Sequence, residues 1–317
     1  MQSPVFRIWL GVALTLWLVL AYLYLDIGFF LAHWYYPVTM VFGAFVAGFT
    51  PEGGGAVAFP VLNIFLHVDR VLARDFSLMI QSIGMTSASL FILTSKTTDL
   101  TSFRPLLWWI PLTFFGFQIG LLFFQEINTI IIQALFLSLI ASFSVTYFLS
   151  SHRGIRNFYR PKTITDIVFT TAVLLTGGIC TSLFGTGCDI LIYTLLVTHF
   201  AMKEKTATHM GIILVTAISI LGFAYRGIFE GAITEYQVKT WLTAYPVVLI
   251  MAPLGAYVLK RVNREYMLRA ILVLNLLQLV YFNLHNPNLT KTLWSLGATG
   301  LLSAVFYLGM SELAKRR

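Results

Sequence analysis

The sequence predicts an all-α polytopic membrane protein made of two inverted-topology repeats, with about eight full spans and two broken, re-entrant helical hairpins. Three observations predict it. Apolar residues make up 58% of the 317-residue chain and charged residues only 11%, with a mean hydropathy of +0.82; a soluble domain carries about 25% charged residues. Nearly uncharged runs of about 20 residues recur, enough to cross about 30 Å of hydrocarbon at about 1.5 Å per residue. A glycine-broken apolar segment also occurs twice, from Gly43 to Gly55 and from Thr176 to Cys188, about 133 residues apart. Paired interruptions at matching places in two halves mark the binding site of a secondary transporter.

The elements follow in order. Residues 8–25 form an apolar run after Arg7 with no small-residue cleavage site behind it, and read as a retained first helix. The further full spans are expected at 76–95, 105–124, 128–150, 206–226, 240–259, 267–284 and 292–312, and the broken hairpins at 37–66 and 164–200. The N-terminal repeat thus covers 1–151, a basic linker 152–163, and the C-terminal repeat 164–317. Trp108, Trp109 and Trp241 lie near span ends and read as interface anchors. Cys180 and Cys188, the only cysteines, flank the second break without zinc-site spacing and read as small residues at a packed turn.

Basic residues collect in cytoplasmic loops, and this orients the chain. If both broken segments re-enter, only Arg70, Arg74, Arg226, Lys239 and Lys291 lie outside, and the other 16 of 21 basic residues lie inside with both termini. If both cross, the division is 12 to 9 and the linker is exported. Re-entry is therefore the expectation. Three spans then separate the hairpins, so they enter from opposite faces and their breaks meet near the midplane. The net charge of +8 belongs to this asymmetry and implies no nucleic-acid partner.

The breaks have their own chemistry. A half-helix starts near Ala56 and another near Cys188. The first N–H groups of such a helix lack intrahelical partners, and its dipole places about half a positive charge there. Glycines permit close backbone approach. Gly53, Gly54 and Gly55 in one loop and Gly185 and Gly187 in the other are thus candidates to hold a small anion, with hydroxyls from Thr50, Thr181, Ser182 and Thr186 and the amide of Gln81. Such a site needs no buried arginine, and no Lys or Arg lies in the apolar interior of an expected span; Arg226 and Arg269 stand at span ends. Glu52 and Asp189 are acidic residues at membrane depth. They read either as half-helix caps or, with His209, as carriers of a coupling proton. No nucleotide motif, catalytic constellation or cofactor signature is present, which speaks against an ATP-driven pump or an enzyme.

At these loops the sequence resembles the TauE/SafE family, the sulfite exporter group of membrane transporters. The matching residues are Gly48-Phe-Thr-Pro-Glu-Gly-Gly-Gly55 with Pro60-Val-Leu62, and the echo Gly185-Thr-Gly187. The second copy departs from the first: Thr186 interrupts its glycines, and Ile192 or Tyr193 stands where Pro60 would align. The resemblance implies movement of a small sulfur-containing anion, such as sulfite, sulfoacetate or another organosulfonate, across a bacterial inner membrane. Composition and spacing alone imply a transporter or an anion channel for a small solute, in contact with lipid and with protons as the candidate coupling ion.

Overall fold

The computed structural model describes residues 3–95, 98–149, 154–259, 261, 264–285 and 287–315. His152 and Arg153 of the expected linker, and the basic residues Lys96, Lys260, Arg316 and Arg317, lie outside the described residues. Among the described residues the protein is all helix, apart from one isolated backbone bridge. The helices are α1 (Pro4–Tyr24), α2 (Ile27–Ala32), α3 (Tyr35–Phe49), α4 (Gly55–Pro60), α5 (Arg70–Leu93), α6 (Leu106–Phe123), α7 (Thr129–Leu149), α8 (Ile164–Phe184), α9 (Cys188–Thr198), α10 (Glu204–Ala224), α11 (Glu235–Leu259), α12 (Arg264–Leu284) and α13 (Leu289–Lys315).

The protein is polytopic. Among the described residues, seven helical segments are long and apolar enough to cross a membrane: α1, α5, the 100–123 segment, α7, α8, the 204–229 segment and α11. Six of them coincide with expected spans. The seventh, α8, is the first arm of the second hairpin; at 21 residues it is longer than a half-helix. The expected 267–284 and 292–312 spans fall within α12 and α13.

Side-chain bonds between helices fix their directions. Trp9 Nε1–H donates to Ser87 Oγ at 2.8 Å, and Phe6 meets Phe91, so α1 runs antiparallel to α5. Trp241 Nε1–H donates to the Met79 carbonyl at 2.9 Å, and Gly84 packs on Val248, so α5 and α11 are parallel. Tyr36 lies beside Tyr236 and Gly48 lies on Ala252, so α3 also runs parallel to α11. Asp75 meets Arg226, and Ser89 meets Thr216, so α5 and α10 are antiparallel. Ser138 and Ser142 donate to the Ser295 and Thr299 carbonyls, which sets α13 parallel to α7.

Both broken segments turn back. α3 and α5 both run parallel to α11, so the α4 stretch between them returns the chain to its starting face, where Tyr36 and Phe76 rings lie 4.8 Å apart. In the second segment Asp166, in the first turn of α8, pairs with His199, just after α9, at 2.7 Å. The linker joins them there: Lys203 N–H donates to the Arg156 carbonyl at 2.8 Å. The hairpins also leave through the same turn. Val68 N–H closes on Leu62 and Met202 N–H on Leu196, with His67 and Ala201 between at φ 53° and 52°. A bond of this span over a left-handed residue satisfies the last carbonyls of a helix. We call the end of the bundle bearing residues 154–163 the linker face.

Glycines make the main seams. Gly48 and Gly255 bring α3 and α11 to backbone contact, and Gly116 and Gly178 do so for α6 and α8, with no room for a Cβ at any of them. Such close approach is how helices associate in lipid, where apolar surface gives no driving force. Helix α5 corrects an expectation. It starts at Arg70, not near 76, because the Asp69 side chain accepts the Val71 and Leu72 N–H groups. Arg74 is therefore inside a spanning helix and 2% exposed, not in an outer loop. Of the three expected anchors only Trp108 faces outward, 78% exposed; Trp109 and Trp241 turn inward, on Tyr159 and on the Met79 carbonyl.

Candidate functional site

The two breaks meet in the protein interior. Gly53 adopts φ 51°, and a Cβ there would collide with Asp189 Oδ2 and lie 2.7 Å from Thr186 Oγ1 and 3.0 Å from Gln81 Oε1. A Cβ on Gly55 would lie 2.7 Å from Thr186 Cβ. Gln81, from α5, joins the loops: its Nε2 donates to the Gly185 carbonyl at 2.6 Å and to Ser77 at 3.0 Å, while Oε1 has no partner among the described residues. Aromatic packing holds the arms together, with Phe59 of α4 edge-on to Phe184 of α8 at 5.6 Å and Phe136 of α7 beside both.

The expected candidates divide. Gly53, Gly55, Gln81, Thr186, Asp189 and the Gly185 carbonyl converge. Gly54 faces Gln81 Cγ, Ala47 and Met40 at ordinary contact distance, so it is less constrained than its neighbours. Thr50 closes α3 and accepts the Glu52 N–H at 3.2 Å. Thr181 Oγ1 donates to the Gly177 carbonyl and accepts the Cys188 N–H. Ser182 turns away, bonded to Ile179 and packed on Gly120 of α6. Gly187, at φ 125°, packs on Cys180, and both cysteines are free thiols in this turn. His209 lies toward the linker face, where it lines a polar cavity.

The two carboxylates have different environments. Asp189 accepts the Gly187 N–H at 3.0 Å and is bonded by Thr186 Oγ1 at 3.2 Å, so it occupies the start of α9 as a cap does. Glu52 does not cap α4, whose N-cap position, Gly54, has no side-chain cap bond. Its Oε1 instead accepts from Asn275 Nδ2 of α12 at 2.5 Å, Oε2 has no partner among the described residues, and Asn275 also reaches Ser144 of α7 at 2.7 Å. The start of α9 is thus engaged by the protein's own groups, not open as half-helix chemistry alone suggests.

One group of residues was missed by sequence reasoning. Asp75, fully buried, binds Arg74 at 2.8 Å and Arg226 at 2.9 Å and accepts from Gln237 at 3.1 Å; Arg226 also pairs with Glu230. Arg74 donates to Gln125 Oε1 at 2.6 Å and to the Ser182 carbonyl, one turn before the second break. The signal was the adjacent Arg74-Asp75 pair, hidden by placing it in a loop. This cluster closes the α5–α10 pair at the face opposite the linker.

A profile of the sulfite exporter TauE/SafE family matches residues 36–283. The chain belongs to the TauE/SafE family. The match runs from α3 through α12, so it contains both hairpins and leaves α1 and α13 outside. Proteins of the TauE/SafE family are membrane transporters, and the protein is a multi-pass membrane protein of that kind. No curated protein and no solved structure matches the chain.

Proposed function

We propose that this TauE/SafE protein is a secondary transporter of a small sulfur-containing anion, sulfite or an organosulfonate such as sulfoacetate, held where the two breaks meet. The observation that carries this reading is the contact of Gly53 with Asp189, Thr186 and Gln81 from the other half and from α5. Non-helical backbone at membrane depth persists only inside protein or beside a cavity. Here the Gly187 N–H and the Thr186 hydroxyl meet at the Asp189 carboxylate, with Gln81 Oε1 beside them. The Asp189 carboxylate is the internal stand-in for substrate: an arriving anion takes its place at the start of α9, and its return expels the anion.

The architecture behind this is an inverted repeat of α3–α7 and α8–α12. In support, α3 lies on α11 as α8 lies on α6, each through a glycine seam. The basic-residue distribution places the linker face and both termini in the cytoplasm of a bacterial inner-membrane protein. A cysteine replacing Asn288 is then expected to react with an impermeant maleimide in intact cells, and one replacing Asn157 only after lysis. Reaction of Asn157→Cys from outside overturns this orientation.

Glu52 is the candidate proton carrier. A buried charge is costly unless paired, and this carboxylate has one N–H donor and no counter-ion among the described contacts. Its proton state is therefore sensitive to water or anion reaching the loops. Thr186→Val is expected to weaken sulfoacetate binding about tenfold, through loss of one hydrogen bond worth about 1.4 kcal/mol. Glu52→Gln is expected to leave binding measurable while removing the dependence of proteoliposome flux on a pH gradient. A wild-type sulfonate panel that gives neither thermal shift nor flux rejects the substrate class. An unaltered pH response in Glu52→Gln rejects the proton role.

A further inference from the structure

We propose that the polar cavity at the linker end of the α5–α10 pair is a second oxyanion site, a vestibule that holds the anion before it reaches the breaks. This rests on the transport reading above. Ser89, near the end of α5, and Thr216, midway along α10, tie the two helices at 2.8 Å. At the far face Asp75 and Arg226 join them, and Asp75 is fully buried. At the linker face a cavity of about 330 Å³ lies between the segment after α5 and the first turns of α10. One end is sealed by ion pairs and the other is hollow, as a transporter open to one side requires.

The lining matches an oxyanion. Lys205 and His209 come from α10, and Thr98, Ser102 and Thr206 add hydroxyls. The one carboxylate, Asp99, is engaged by the Thr101 N–H at 3.0 Å and the Thr101 hydroxyl at 2.7 Å, where it caps the turn Leu100–Phe103. A cation, an imidazole and several hydroxyls converging on a space of this size suit a sulfonate with its remaining water. Two other cavities differ. One is walled by Leu135, Leu293 and Leu301, another by Phe6, Leu249 and Leu254, and both are apolar.

The cavity also points the right way. His209 is 8% exposed. Two residues on, Gly211 packs on the Asp189 backbone, with 3.2 Å from a Cβ to the Asp189 carbonyl. Thr208, the residue before His209 and one turn before Gly211 on the same face of α10, is buried with an Oγ1 that has no partner among the described residues. The Thr208 hydroxyl therefore shares the α10 face that packs on the second break, and stands next in sequence to His209 at the cavity.

A lipid phosphate has the same chemistry as a sulfonate, so the test separates them. Ser102→Cys is made with Cys180 and Cys188 replaced by alanine, and its reaction with a thiol reagent is followed in lipid-free detergent. Sulfoacetate is expected to protect it. Protection by phosphatidylglycerol micelles and not by sulfoacetate overturns the proposal. In proteoliposomes, Lys205→Ala is expected to raise half-saturation about tenfold for sulfoacetate supplied at the linker face, the effect of losing one charge-assisted hydrogen bond. Half-saturation at the other face and the maximal rate stay unchanged, and Lys205→Arg restores the affinity. A wild-type profile for Lys205→Ala at both faces, in protein that transports, overturns the vestibule alone. Protection of Ser102→Cys by sulfoacetate in protein without flux keeps the site and removes the transport reading.

Discussion

Three single-alanine variants of the break glycines are expected to separate widely. Gly185→Ala loses the most: its backbone is at φ 77°, and a Cβ would lie 2.6 Å from the Arg74 carbonyl and 2.5 Å from Ser77 Cβ. A left-handed backbone costs a non-glycine residue about 1–2 kcal/mol, and wedging a packed core costs about 1–3 kcal/mol more. Thermal unfolding in detergent should fall accordingly, with flux at background. Gly53→Ala should remain folded and lose flux, because its methyl displaces the Asp189 carboxylate and Thr186 hydroxyl instead of backbone. Gly54→Ala should be close to wild type, with ordinary contacts and right-handed backbone. Equal effects at all three positions would mean that the breaks do not meet as described.

Asp75→Asn is expected to be the most destabilising charge change. It leaves the guanidiniums of Arg74 and Arg226 on opposite sides of a neutral amide, and Arg74 is 2% exposed. Removing one partner of a buried ion pair costs about 3–5 kcal/mol, because the remaining charge stays buried and unpaired. The loss should be read as the fall in unfolding temperature of purified protein. Adding Arg226→Gln should recover part of it, since one of the two like charges beside the amide is then gone; such non-additivity is the signature of direct coupling. Simple addition of the two single effects would place Arg226 outside the cluster. If the cluster also closes the far face, Asp75→Asn should raise sulfoacetate leak in the fraction that stays folded.

The sequence by itself determined the class and the place of the breaks. Membrane helices are read from uncharged length, which is a local property, and the starts at Gly55 and Cys188 fall beside the expected residues because glycine runs end helices wherever they occur. The exits through His67 and Ala201, which share one backbone geometry, became visible only in the structure. What only the tertiary structure decided is who faces whom. Sequence treated Gly53, Gly54 and Gly55 alike, and Glu52 and Asp189 alike. Packing against Asp189, Thr186 and Asn275, all more than 130 positions away, distinguishes them. Trp108 and its neighbour Trp109 parted in the same way, one outward and one against Tyr159. The Arg74–Asp75–Arg226 cluster was hidden for a related reason. Charges inside a spanning helix are disfavoured by hydropathy; here Arg74 and Asp75 neutralise each other, and Arg226, just after α10 and 151 residues along the chain, adds a second ion pair to Asp75.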